Sequence, residues 1–81
     1  MNEERAFTIG GARYRVTRRL VEERLSGVQP ESIRKYFVNI RGQRYPVKQA
    51  VAVGLGVARA GFQTQEAFRI LRSLGFSPEE G

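Results

Sequence analysis

The sequence contains no cysteine, histidine, tryptophan or aspartate. The absence of cysteine excludes a disulfide framework and a thiolate metal site. Without histidine and aspartate the chain has neither the Ser-His-Asp nor the Cys-His nucleophile system, and it lacks the commonest general base. Two glutamates could in principle act as an acid-base pair, but four of the eight lie in the first four and last three residues. We therefore expect a protein that is not an enzyme and that uses no metal or cofactor.

Long apolar runs are also absent. No stretch approaches the ~20 apolar residues that a membrane-spanning helix requires, and the polar, acidic start of the chain does not have the form of a signal peptide. A length of 81 residues suits one small domain with a thin core. We expect a soluble cytoplasmic protein with a flexible N-terminus over residues 1–5, one domain over residues 6–76 and an acidic tail over residues 77–81.

Positive charge is what the chain has in excess. The net charge is +6, and from residue 5 to residue 78 there are 14 basic residues against four glutamates. Twelve of the basic residues are arginine, whose planar guanidinium suits phosphate groups and guanine edges. This distribution indicates a nucleic-acid-binding protein. A basic surface without a specific partner is the alternative.

Two stretches of the chain share the pattern Ile-x-Gly-x-Arg-Tyr-x-Val, 31 positions apart. They are residues 9–16 and residues 40–47, and each resembles a short hairpin that leads into a helix. A weaker match relates residues 31–34 to residues 66–69. The patterns predict an α+β domain of two hairpin-helix-helix halves, an internal repeat packed about a pseudo-twofold axis. Chance similarity of short apolar-basic segments is the alternative.

In the first half, residues 7–16 are predicted to form a hairpin, and Thr17 is predicted to cap a helix that ends at Gly27. Residues 30–36 are predicted to form a second, short helix with Ile33 and Tyr36 facing inward. The four residues between the two helices suit the turn of a helix-turn-helix, although two helical turns are short for a recognition helix.

In the second half, the hairpin is predicted to have its tip at residues 41–43 and to end where Pro46 begins a helix. The last helix is predicted to start at an N-cap, Thr64, and to end at Gly75. Phe76 should fold back onto that helix after the glycine.

Arg41, Arg44 and Lys48 are predicted to surround the second hairpin tip and the following helix N-terminus, where free N–H groups favour a phosphate. Gln65 and Arg69 stand four apart on the last helix and suit adenine and guanine edges. Ordinary solvated surface charges are the alternative in both places. The predicted nucleic-acid-binding residues are Arg13, Arg41, Arg44, Tyr45, Pro46, Lys48, Gln49, Arg59, Gln65, Arg69 and Arg72.

Tyr45 and Pro46 are adjacent at this basic helix start. A phenol ring beside a pyrrolidine ring could line a small apolar pocket or form a stacking platform for a base. The alternative is that Tyr45 is half-buried in the core, as expected for its counterpart Tyr14.

A pattern over residues 38–76 resembles a small module associated with HNH-type and modification-dependent restriction nucleases. The residues that carry the resemblance are Gly42, Tyr45, Pro46, Lys48, Phe62 and Leu74-Gly75-Phe76. Similar modules include sulfur-binding domains that recognise phosphorothioate DNA with an apolar pocket beside basic residues. The resemblance implies that Tyr45 and Pro46 line such a pocket and that Arg44 and Lys48 bind the adjoining phosphates. An HNH active site itself requires histidine, which this chain lacks.

The sequence thus predicts a non-enzymatic module that binds duplex DNA through phosphate contacts from hairpin tips and helix N-termini. One alternative is a protein-interaction or regulatory module that docks on an acidic partner, such as a nuclease or a regulatory protein. RNA binding by shape is a third interpretation, although the signatures of the RNA recognition motif and the KH domain are absent.

Overall fold

The computed structural model describes residues 3–81, which form an α+β domain with two small antiparallel sheets and three α-helices. No helix in this part of the chain is long and apolar enough to cross a membrane. In chain order the elements are β1 (Arg5–Ile9), β2 (Ala12–Val16), α1 (Arg18–Leu25), β3 (Tyr36–Ile40), β4 (Gln43–Pro46), α2 (Val47–Leu55), a 3₁₀ turn (Arg59–Gly61), α3 (Thr64–Ser73) and β5 (Glu79–Glu80).

Both predicted hairpins are present. β1 pairs with β2 and β3 pairs with β4, each through a two-residue turn. The turn residues have positive φ in both cases, 57° and 83° at Gly10 and Gly11 and 51° and 81° at Arg41 and Gly42. Positive φ at both central residues is the requirement of a type I′ turn, which matches the twist of the strands. The tip of the second hairpin is therefore two residues, Arg41 and Gly42, rather than the predicted three.

Arg5 and the C-terminal residues belong to β-strands, although both were predicted to lie outside the folded domain. β5 extends the second sheet, with Glu80 opposite Tyr36 and Glu79 opposite Phe37, and the Gly81 N–H donates to the Lys35 carbonyl at 2.6 Å. Residues 77–81 are therefore not a free tail. Arg5 is part of β1, so the predicted boundary after residue 5 is also wrong, and residues 1 and 2 lie outside the described residues.

The helix ends follow local capping rules. The Thr17 hydroxyl accepts from the Leu20 N–H at 3.0 Å, which confirms the predicted cap of α1. α3 starts at Thr64 itself, so its N-cap is Gln63, one residue before the predicted cap. At its other end Gly75 has φ 90°, the Phe76 N–H donates to the Leu71 carbonyl, and Phe76 is buried, as predicted.

The predicted helix over residues 30–36 is wrong. Residues 31–33 have no regular structure, β3 begins at Tyr36, and Ile33 is 37% exposed instead of facing inward. Two helical turns are marginal by themselves, and here the Gln49 side chain binds the backbone of Gln29 and Glu31 instead. The helix-turn-helix interpretation therefore fails.

The predicted internal repeat is not established, because the matching segment at residues 66–69 is helical and residues 31–34 are not.

The core lies where α1 and α3 pack on α2 and the two hairpins close over them. Val21, Val51 and Leu71 are fully buried at its centre. Gly54 of α2 faces Val21 so closely that an added Cβ would lie 2.8 Å from Val21 Cγ1. The absence of a side chain at residue 54 thus sets the distance between α1 and α2.

We predict that Gly54→Ala destabilises the domain. The helix propensity of alanine favours the substitution by about 1 kcal/mol, but overpacking against Val21 should cost about 1–3 kcal/mol. Urea unfolding monitored by circular dichroism measures the difference. The cost of Gly54→Ala should fall when Val21 is also replaced by alanine, whereas a single variant more stable than the parent would contradict the packing argument.

Candidate nucleic-acid interface

Two adjoining clefts lie on one side of α3. The first, which we call the aromatic cleft, is lined by Tyr36, Thr64, Gln65, Phe68, Arg69 and Arg72. The second, the cationic cleft, is lined by Glu31, Ser32, Arg34, Lys35, Tyr36, Pro46, Val47, Lys48, Arg59 and Thr64. Because Tyr36 and Thr64 line both, the clefts form one continuous surface. That surface carries six basic side chains and a single glutamate.

The cationic cleft depends on a buried amide. The Gln49 side chain is 3% exposed, donates from Nε2 to the Gln29 carbonyl at 3.0 Å and accepts from the Glu31 N–H at 2.9 Å. These two bonds hold the segment of residues 28–35 against α2. Arg34 and Lys35 are thereby brought next to the N-terminal turn of α2.

Glu31 and Arg59 form an ion pair with two hydrogen bonds at the edge of this cleft. Arg59 Nη1 donates to Glu31 Oε1 at 2.6 Å, and Arg59 Nη2 donates to Glu31 Oε2. The guanidinium hydrogen bonds hold the pKa of the Glu31 carboxyl below its usual value and raise the pKa of Arg59. The pair therefore persists at neutral pH, and its contribution to stability is complete above the ordinary carboxyl pKa and lost as pH falls through the lowered one. Arg59 was expected to be available to phosphate, but it has a carboxylate partner.

In the aromatic cleft, the Tyr36 and Phe68 rings meet edge to face. Their centroids are 5.1 Å apart at an interplanar angle of 89°. The Lys35 ammonium lies 5.3 Å from the Tyr36 ring centroid, and the Arg72 guanidinium lies 5.5 Å from that of Phe68. The contact with Tyr36, followed by that with Glu80, raises the pKa of Lys35. Each half-buried ring of the cleft thus has a neighbour that is positively charged at neutral pH.

Carboxylates neutralise the arginines outside the clefts more completely than those inside. Arg41 pairs with Glu22 at 3.6 Å and Arg15 with Glu4 at 3.9 Å. The predicted helix pairs Arg18–Glu22 and Arg19–Glu23 are also present. Within residues 3–81, the exposed or half-buried cations that have no carboxylate within 4.0 Å are Arg13, Arg24, Arg34, Arg44, Lys48, Arg69 and Arg72. Four of those seven line the clefts.

Part of the predicted binding set is brought together here. Three members line the cationic cleft: Pro46, Lys48 and Arg59. Three others line the aromatic cleft: Gln65, Arg69 and Arg72. Four residues that line the clefts were not predicted as site residues: Arg34, Lys35, Tyr36 and Phe68. The run of two basic residues before a tyrosine was a usable signal, but the helix predicted over residues 30–36 placed Tyr36 in the core.

Other members lie elsewhere. Arg41 is at the hairpin tip and Lys48 is at the N-terminus of α2, at opposite ends of β4, whose ends are about 10 Å apart. Arg41 and Lys48 thus lie where predicted, at the hairpin tip and at the helix N-terminus, and β4 separates the two places. The Arg44 guanidinium lies over the Phe37 ring at 5.0 Å. Arg13 is exposed on β2, in the other sheet.

Tyr45 and Gln49 are not available to a ligand, because each is only 3% exposed. The Tyr45 hydroxyl lies 3.1 Å from the carbonyl oxygens of both Leu25 and Val28, which share its single donor hydrogen. Tyr45 is therefore a core residue, and the predicted pocket lined by Tyr45 and Pro46 together is not formed. Pro46 remains half-buried at the cationic cleft.

A protein-family model described as SCO5918-like matches residues 7–81. No curated protein and no solved structure matches the chain. The family match includes the second hairpin, all of the first except the start of β1, and all three α-helices, whereas the resemblance to restriction-nuclease modules was limited to residues 38–76. That resemblance stays a prediction. Among residues 3–81 there is no cluster of three acidic side chains that could hold a metal ion.

We predict that Tyr45→Phe lowers stability without changing ligand affinity. Removal of the hydroxyl takes away a buried hydrogen bond, although the Leu25 carbonyl keeps its bond from the Val28 N–H, and should cost about 0.5–1.5 kcal/mol. Tyr14→Phe is the matched control, since Tyr14 occupies the same place in the first hairpin and its hydroxyl makes no hydrogen bond within residues 3–81. Denaturant unfolding and a DNA-binding titration measure the two quantities. A Tyr45 variant with normal stability and lost binding would restore the pocket interpretation.

Proposed function

The chain belongs to the SCO5918-like family, and we propose that it is a non-enzymatic protein that binds duplex DNA through the surface formed by the two clefts. The observation that carries the proposal is the arrangement of six basic side chains around Tyr36 and Thr64 with only Glu31 among them. Such a surface suits the phosphates of DNA. Each phosphate that a basic side chain neutralises releases condensed counterions, and this release favours binding. DNA as the ligand also implies a cytoplasmic protein that associates with the nucleoid.

The N-terminus of α2 supports phosphate binding in the cationic cleft. The cap residue is Pro46, which provides no side-chain hydrogen bond to the first helical turn. The N–H groups of that turn therefore need an acceptor, and they carry the positive end of the helix dipole. Lys48 lies in the same turn, and Arg34 lies across the cleft. Backbone amides and two unpaired cations together form a suitable phosphate site.

The polar face of α3 supports contacts along a groove. Gln65, Arg69 and Arg72 are exposed at helical spacing on one face. Arginine suits the O6 and N7 atoms of guanine, and glutamine suits N6 and N7 of adenine. These side chains can also bind phosphates, which would position the protein without selecting sequence.

Modified DNA is a narrower form of the same proposal. The resemblance to sulfur-binding modules suggests phosphorothioate DNA as a ligand. With Tyr45 buried, an apolar contact to sulfur would have to come from Pro46 beside Lys48. A phosphorothioate duplex that binds more tightly than a plain duplex of the same sequence would favour this narrower function.

The second candidate is a protein-interaction module for an acidic partner. The observation in its favour is apolar surface beside the cations. Ile33 is 37% exposed, and Tyr36 and Phe68 are only half-buried. Aromatic residues and arginine are enriched in protein interfaces. Binding of an acidic protein by a chain that has no affinity for DNA at low salt would favour this function.

We predict that Arg69→Ala weakens binding to a short duplex by at least about tenfold, the value of one charge-assisted hydrogen bond. The slope of log affinity against log salt should also decrease by about 0.9. Arg13→Ala is the matched control, because Arg13 also lacks a carboxylate partner within residues 3–81 but lies in the other sheet. Fluorescence anisotropy over a series of salt concentrations measures both. Salt-independent binding, or equal losses in the two variants, would contradict the proposal.

We predict that Glu31→Gln strengthens DNA binding. The substitution releases Arg59 from its carboxylate partner and adds one positive charge to the cationic cleft. The salt slope should increase by about 0.9 if Arg59 then contacts one phosphate. Glu23→Gln is the control for loss of an exposed glutamate that pairs with an arginine outside the clefts. An effect of the same size in the Glu23 variant would show that net charge alone is responsible.

A further inference from the structure

We infer that the aromatic cleft receives an unpaired base of the DNA strand whose phosphates lie on the surrounding cations. The inference rests on the proposed function, in which the cations bind DNA phosphates, and it adds a base of the same strand as the ligand of the apolar part of the surface. A site that binds only phosphates needs no apolar lining. The rings of Tyr36 and Phe68 lie at the middle of the cationic surface, where they are half-buried and line the cleft.

The size and chemistry of the cleft suit a base. Its volume is about 670 Å³, within the range of about 300–1,000 Å³ that is typical of small-molecule sites. Because the two rings meet edge to face, part of the surface of each ring is not covered by the other ring. Thr64 and Gln65 line the same cleft and offer hydrogen-bond donors and acceptors to a base edge.

The cations beside the two rings, Lys35 and Arg72, favour a base that is not stacked on its neighbours in the DNA strand. Arg72 lies over the Phe68 ring and Lys35 over the Tyr36 ring. Both side chains are exposed, so a base can displace them from the rings or, in the case of Arg72, stack on the guanidinium. Stacking on aromatic rings and on guanidinium planes is how proteins bind bases that are splayed out of a strand.

The distribution of charge favours a polynucleotide over a free nucleotide. Arg34 and Lys48 lie in the cationic cleft on one side of Tyr36 and Thr64, and Arg69 and Arg72 lie on the other side. A base within a strand has a phosphate on each side, whereas a free nucleoside monophosphate has only one. A fully stacked duplex presents no base face that could enter the cleft, so an extruded or unpaired base is required.

The test compares three DNA duplexes of equal length with wild-type protein: a perfect duplex, one with a single bulged adenine, and one with an abasic bulge of the same phosphate number. The adenine bulge should bind at least about fivefold more tightly than the other two, the lower end of what one base stack contributes. A 2-aminopurine in the bulge should lose fluorescence on binding because its ring stacks on protein. Phe68→Leu should lower affinity for the adenine bulge to that for the abasic bulge, with both measured on the same variant. Phe7→Leu is the control, because Phe7 is also half-buried but does not line the cleft.

Equal affinity for all three duplexes, without a change in 2-aminopurine fluorescence, would overturn the inference and leave the proposed phosphate binding standing. Absence of binding to every duplex at low salt would overturn both. AMP that binds as tightly as the adenine-bulged duplex would overturn the assignment of a polynucleotide. The fluorescence measurement uses wild-type protein, so the inference can be rejected even if the Phe68 variant does not fold.

Discussion

The buried side-chain amide of Gln49 holds residues 28–35 against α2, and the clefts depend on that contact. Gln49 is buried with both polar atoms satisfied by the backbone of Gln29 and Glu31. A buried amide without partners would be costly, so these bonds restrict the segment to one extended path. Arg34, Lys35 and Tyr36 follow directly and are placed beside Lys48 and Thr64. Had the segment formed a helix, its side chains would have been distributed around the helix axis instead.

Tyr45 provides a second anchor for the same connection. Its hydroxyl meets the carbonyls of Leu25 and Val28, at the end of α1 and the start of the extended segment. Tyr45 and Gln49 were both expected to contact nucleic acid. Instead, both side chains are buried and hydrogen-bond the backbone of the segment that leads to the exposed residues Arg34 and Lys35. The sequence around a polar side chain near a basic helix start is the same whether that side chain binds a ligand or anchors the core. Only its burial in the folded structure distinguishes a binding residue from a core residue.

The charge pattern of the surface is likewise a tertiary result. Arg59 is 28 residues from Glu31, and the pair closes because the extended segment passes the 3₁₀ turn. Lys35 meets Glu80 because β5 pairs with the start of β3. These contacts decide which cations remain available to a polyanion, and they leave Arg34, Lys48, Arg69 and Arg72 without carboxylates among residues 3–81. The excess of arginine in the composition thus becomes a surface that is charged mainly at the clefts.

Local signals in the sequence were sufficient for the hairpins and for most helix ends. Gly10-Gly11 and Gly42 predict tight turns because glycine adopts positive φ without strain, and Thr17 and Gly75 predict helix ends because their effects act within one turn of helix. What only the tertiary structure decided was the path of residues 28–35, the burial of Tyr45 and Gln49, and the pairing of Arg59 and Arg41 with distant glutamates. Each of these depends on groups brought together from 17 or more residues apart in the chain, and no local preference of the backbone encodes such contacts.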